Sequence, residues 1–185
     1  MSDLRALRSA PSAPSVAVDE PCLQAFQREL DYIYRSLRRL SASPSELDDL
    51  AQDVFLALRR SWLEYDASRP LRPYLLGIAF RITASHHRRT RRQLAFGVVE
   101  GSDAGPQPDD VLQTKQARAL VLAALERIPL RRRAVLVMHD LDDVPVAVIA
   151  SMLDIPLFTA YSRLRKARRE LQVALRRMLK DVDVR

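Results

Sequence analysis

The chain has 185 residues, a formal net charge of +7 and a pI near 10.2, a balance that favours a polyanionic partner, either nucleic acid or an anionic membrane face. A single cysteine, Cys22, excludes an intramolecular disulfide framework, and three scattered histidines with no Cys/His cluster argue against a structural zinc site. No apolar run approaches the ~20 residues that span a bilayer, and Arg5 and Arg8 precede no apolar signal segment, so the chain is expected to be cytoplasmic.

In chain order, residues 1–21 are rich in Ser, Ala and Pro and read as a disordered arm. From Leu23 the pattern turns helical, with Phe26, Leu30, Ile33, Tyr34, Leu37 and Leu40 forming one buried stripe. Ser41 to Pro44 interrupts it. Ser45 is the expected N-cap of the next helix, with Glu46, Asp48 and Asp49 in the first turn, where the helix dipole favours acids. Leu47, Leu50, Ala51, Val54, Phe55 and Leu58 make that helix's inner face. Glu64 to Pro73 holds two prolines and the turn formers Asp66 and Ser68, so it cannot be helical throughout. A third helix is expected from about Pro73, with Leu75, Ile78, Ala79 and Ile82 inward. Arg81, Ser85, Arg88 and Arg92 advance by 4, 3 and 4 along its opposite face, a basic stripe whose plainer reading is a solvated arginine face. His86 and His87, inside the arginine run, are expected to be solvated or phosphate-facing.

Residues 97–112 gather three of the four glycines, two prolines and four acids, the composition of a flexible linker. Counting Lys and Arg against Asp and Glu, residues 1–22 carry −1, 23–95 carry +5, 96–112 carry −4 and 113–185 carry +7: two basic blocks around an acidic spacer. After the spacer, Ala117, Leu120, Val121, Ala124, Leu125 and Ile128 form one helical stripe that ends near Pro129. Val135, Leu136 and Met138 begin a second, which closes at the acidic turn Asp140 to Asp143. Residues Pro145 to Leu171 then read as two short helices around a tight turn. Ala150, Asp154 and Ala160 stand at offsets 0, +4 and +10, with small residues where two helices cross closely and a residue that tolerates φ > 0 between them. Val148, Ile149, Met152, Leu153, Ile155 and Leu164 would pin this pair to a third helix, and Leu171, Leu175 and Met178 extend the stripe. Arg163, Arg165, Lys166, Arg168 and Arg169 supply charge for phosphates; the plainer reading is a cationic amphipathic surface helix. No segment shows strand alternation, so the fold class is all-α, with two small helical domains.

Three segments carry a resemblance: ELDDLAQDVFLAL at 46–58, YDASRPLRPYLLGIAFRI at 65–82 and YSRLRKARREL at 161–171. In this order they resemble an extracytoplasmic-function (ECF) sigma factor, a small class of bacterial RNA polymerase sigma subunits in the sigma-70 superfamily. The resemblance implies a region 2 domain over 22–95, a linker over 96–112, a region 4 helix-turn-helix domain over 113–180 and a tail at 181–185. It implies that Asp48, Asp49, Gln52 and Asp53 dock on core polymerase. Arg69, Arg72, Tyr74, Arg81, Arg88, Arg89 and Arg92, together with Arg91, would meet the −10 element, where the loop from Tyr65 to Arg72 captures an extruded base; Tyr74 reads equally as a core ring. Phe158, Thr159, Tyr161, Ser162, Arg163, Arg165 and Arg168 would meet the −35 element. Pro145 and Pro156 stand where relatives often carry a capping Ser, so base preference does not transfer. The resemblance also suggests that the acidic linker threads polymerase toward the RNA path, where composition alone supports only a solvated spacer.

No phosphate-cradling glycine loop, nucleophile–base pair or metal cluster is evident, so a non-catalytic binding protein without cofactor is expected. Its partners would be core RNA polymerase, promoter DNA in duplex and single-stranded form, and, as for many ECF members, an anti-sigma factor. The alternative is a helix-turn-helix regulator that binds duplex DNA without being a polymerase subunit; more remote is a basic helical protein for RNA or an acidic protein surface.

Overall fold

Among the described residues, three other than glycine take positive φ, Ser41 at 73°, Asp143 at 53° and Asp154 at 51°, and each terminates a helix. The pattern at Asp154 is a Schellman closure, in which Ile155 N–H reaches back to the Ala150 carbonyl at 3.0 Å and Asp154 N–H to Ser151 at 3.3 Å. Ala42 and Ser41 repeat it on Leu37 and Arg38, both at 3.0 Å. Short polar side chains thus do at helix ends what glycine does in most proteins.

The computed structural model describes residues 19–95 and 112–183. In order, the helices are α1 (Asp19–Arg28), α2 (Leu30–Arg39), α3 (Leu47–Ser61), α4 (Leu71–Ala95), α5 (Leu112–Glu126), α6 (Leu130–Leu136), α7 (Val146–Met152) and α8 (Leu157–Asp183). Short 3₁₀ turns cover Pro44–Glu46 and Trp62–Glu64, and a π-type turn, Val137–Leu141, extends α6. No strand occurs among the described residues. The expected arm and linker lie largely outside the described residues, but α1 already begins at Asp19 and α8 runs on to Asp183, past the expected start of the tail.

Several local expectations need correction. The stripe from Leu23 to Leu40 is two helices broken at Glu29, and Leu30 is left exposed. The N-terminal signal before α3 belongs to Ser43, not Ser45: the Ser43 backbone N–H and hydroxyl both donate to the Glu46 carboxylate, at 2.9 and 2.6 Å. Glu46 stands three residues after Ser43, the spacing such a box requires, and Pro44 fits the first turn between them. Burial opposes ionisation of Glu46, but the bonds from Ser43 outweigh it and hold the carboxyl below its ordinary range. Helix α4 starts at Leu71, so Pro73 lies in a first turn that needs no N–H from it. Val148, expected inward, is exposed, whereas Ile149 beside it is fully buried.

Helices α1 to α4 pack around Ile33, Leu37, Leu40, Val54, Leu58, Leu75 and Leu76, all at most 1% exposed, and the Phe26 ring meets Phe55 edge-on at 5.1 Å. Helices α5 to α8 pack around Leu125, Ile128, Leu136, Met138, Ile149, Ala160 and Ala167. Full burial of each large aliphatic side chain contributes roughly 1.5–3 kcal/mol before entropy is charged. Ala150 and Ala160 are 5% and 0% exposed, as the crossing of α7 on α8 requires. The two modules are not separate in space, since their buried residues form one continuous apolar cluster. Gly77 allows the approach of α4 to α7: a Cβ there would lie 3.1 Å from Met152 Cε.

Candidate nucleic-acid interface

The turn before α4 is held by its own polar groups. Asp66 accepts from Ser68 N–H at 3.0 Å and from the Ser68 hydroxyl at 2.7 Å, which keeps its carboxyl below the usual range. The Tyr65 hydroxyl donates to the Arg69 carbonyl, and Arg69 pairs loosely with Asp66 at 3.5 Å. Behind the loop stands an aromatic ladder: Trp62 stacks on Tyr65 at 5.7 Å, and Tyr65 leans on Tyr74 at 5.0 Å. Tyr74 is partly buried against the core, and its hydroxyl donates to Ser61 Oγ at 2.7 Å. Trp62 was not singled out from sequence; three aromatic residues flanking one turn were the available signal.

Arg72 is exposed, but its guanidinium is held in place. Its Nε donates to Glu29 at 2.7 Å, and its guanidinium lies 5.5 Å from the Tyr32 ring centre. Arg81, Arg88, Arg89, Arg91 and Arg92 are exposed along α4, and Arg81 donates to the Met152 carbonyl of α7 at 3.3 Å. The histidines inside this run are not fully solvated, and His87 lines a groove with Arg88 and Arg91. His86 lies 3.6 Å from Glu46, and half-buried His87 lies 3.3 Å from the Ser41 carbonyl. A carbonyl only accepts, so His87 Nε2 carries the proton. Burial pushes the His87 imidazole below its ordinary value, against that hydrogen bond.

On the opposite side of the first module, Asp48, Asp49, Gln52 and Asp53 are all exposed on α3. Asp48 accepts from the Tyr34 hydroxyl at 2.6 Å, which ties it to α2.

In the second module, Phe158 and Tyr161 are 83% and 56% exposed, and Arg165 follows on the same outward face. Thr159, Ser162 and Arg163 are half-buried and turn toward α4. Arg168, expected to reach phosphate, is instead clamped to Asp140 by two bonds of 2.6 and 2.9 Å. Arg132 makes a similar pair with Glu170 at 2.7 and 2.9 Å. These forked pairs fix the angle of α8 on α6 and its π-turn.

Two interactions had no sequence signal. The Asp142 carboxylate accepts from Tyr32 Oη at 3.0 Å and from Arg39 Nη1 at 3.1 Å, joining the modules across a separation of 110 residues. Burial raises the Asp142 carboxyl above its usual range despite both donors. Arg133, 4% exposed, donates to the Glu126 carbonyl at 2.8 Å and to Ile128 at 2.8 and 3.2 Å, closing the end of α5.

The geometry is therefore two basic helical faces, an aromatic-backed turn and a separate acidic helix face. Residues 25–93 match the profile of sigma-70 region 2, and residues 118–171 match sigma-70, region 4. The chain is a sigma factor of the ECF class. The ECF RNA polymerase sigma factor SigM of Mycobacterium tuberculosis is 28% identical to it over 162 residues, covering 88% of this chain and 81% of SigM. SigE of Mycolicibacterium smegmatis is 26% identical over 153 residues, and there this sigma factor spans only 59% of the relative's length. Its fold resembles that of the sigma factor RpoE from Bartonella quintana, solved in complex with the anti-sigma factor NepR, with a TM-score of 0.64 at 20% identity, covering 83% of this chain and 98% of that one. Among the described residues no single helix is long and apolar enough to cross a membrane.

Proposed function

We propose that this sigma factor docks on core RNA polymerase through the α3 face bearing Asp49, Gln52 and Asp53, with Asp48 at its edge. It then directs initiation by reading the −10 element with α4 and the turn before it, and the −35 element with the start of α8. The observation that carries this reading is the segregation of charge: an acidic face on α3, and basic faces on α4 and α8, each on a rigid helix. An acidic patch gives fast, salt-sensitive docking on a basic partner. The arginine faces supply phosphate contacts, while Phe158 and Tyr161 are placed to meet base edges. The Trp62–Tyr65–Tyr74 ladder gives the loop a rigid backing against which an unstacked base can be held. The protein supplies binding and no chemistry of its own, works in the cytoplasm, and is restrained by a partner of the anti-sigma class.

Promoter engagement then requires the modules to part. Elements some 25 base pairs apart at ~3.4 Å each stand about 85 Å from one another, whereas Arg88 and Arg163 line one groove here. Two linked readers gain avidity only when the promoter spacing suits both.

The test is co-elution with bacterial core polymerase, followed by transcription from a randomised promoter library. Asp49→Lys with Asp53→Lys should weaken co-elution at least about tenfold while leaving helicity unchanged. Undiminished co-elution would count against the docking face. Tight duplex binding by a chain that never binds core would sink the sigma mechanism.

A further inference from the structure

While the modules are packed together, they enclose a groove of about 720 Å³ between α4 and the second module. Arg88 and Arg91 line it from α4, Arg131 and Arg132 from α6, and Arg163 and Lys166 from α8. Among the described residues no carboxylate lines it, and of these six only Arg132 is bonded to an acid, Glu170. The hydroxyl-bearing Thr159 and Ser162 also line it, and Phe158 stands at its edge, 83% exposed. We propose that this groove is a composite binding site for a chain of phosphate groups, formed only in the closed arrangement.

Five of the six cations have no acidic partner among the described residues. Arg163 has its guanidinium weakened by burial and then by the like charge of Arg131, a repulsion that an anion placed between them would relieve. Five of the six cations are arginines, whose planar forks bind phosphate oxygens two at a time. The size fits an extended ligand: at ~30 Å³ per water the groove holds about two dozen waters, far more than one phosphate needs. Cations from both modules must act together, so an occupant bridges them and favours the closed form over the parted one. By linkage, whatever lowers the fraction of closed molecules must weaken binding in proportion to that fraction. The site uses side chains that the promoter-reading proposal assigns to two separate DNA elements, but it needs neither polymerase nor promoter.

The test uses the full free chain, with fluorescein-labelled octathymidylate followed by fluorescence anisotropy, and with tripolyphosphate and decaglutamate as competitors. Saturable one-to-one binding is expected. Arg91→Ala and Arg131→Ala, both exposed and on opposite walls, should each weaken it at least about tenfold. Asp142→Ala, which lies outside the groove, should weaken it through the packing alone. Competition by tripolyphosphate identifies a free phosphate chain as sufficient. Octathymidylate binding that tripolyphosphate does not displace assigns the site to a nucleic-acid strand. The proposal is overturned if neither probe binds, if Arg131→Ala leaves the affinity unchanged, or if Asp142→Ala leaves it unchanged while small-angle X-ray scattering shows the modules parted. Decaglutamate displacing the probe as well as tripolyphosphate does would equally overturn it, making the groove a seat for an acidic protein.

Discussion

Arg133 lies one residue beyond the arginines that face solvent, yet it serves the fold. Its guanidinium takes the place of a helix-capping group at the end of α5, and burial pushes its pKa down to about 10, still high enough to keep it charged at neutral pH. Arg133→Leu would leave the Glu126 and Ile128 carbonyls without that donor, and is expected to cost about 2–4 kcal/mol in urea unfolding. Arg131→Leu, exposed next door, should cost less than about 0.5 kcal/mol. His87 carries a second residue-scale prediction. Its folded pKa lies below the ordinary 6.5, so the unfolded chain takes up the proton first as pH falls. The stability tied to its neutral form is present above pH 6.5 and is lost on acidification through the folded value. In His87→Gln the decline as pH falls below 6.5 should flatten, as read by thermal unfolding at a series of pH values.

At the scale of elements, periodicity predicted most of what packing needed. The inner faces of α3 and α4, the helix-turn-helix spacing and the left-handed Asp154 were all visible in the residues. Asp154 tests that reading: with φ at 51°, Asp154→Val should destabilise the second module by about 1–2 kcal/mol, while Asp154→Gly should not. Val121 and Val148, inside helices, were expected inward but are exposed, and the other errors were at helix ends. Leu30 kept the apolar rhythm although the chain breaks at Glu29, because a three-or-four spacing cannot distinguish one bent stripe from two helices. Both serines have an acid three residues on, but Ser43 prevailed because the longer Glu46 reaches back to it, whereas Asp48 accepts from Tyr34 instead.

For the whole molecule, the decisive feature is the union of the two modules through one apolar cluster and a polar latch. Asp142→Ala leaves Tyr32 Oη and Arg39 without their shared acceptor and should weaken the packing by about 1–3 kcal/mol, roughly 5- to 150-fold in the ratio of closed to parted molecules. Small-angle X-ray scattering should then give a larger radius of gyration; an unchanged radius would mean that the apolar contacts alone hold the modules.

The residues by themselves determined the all-α class, the two basic blocks, the acidic face of α3 and the helix-turn-helix, since these follow from local spacing and composition. Only the tertiary structure decided that Arg72 and Arg168 are held by Glu29 and Asp140, that Tyr74 donates to Ser61, and that Asp142 binds Tyr32. A partner 110 residues away leaves no periodic trace in a sequence, because what joins the two residues is the packing of helices and not their order along the chain.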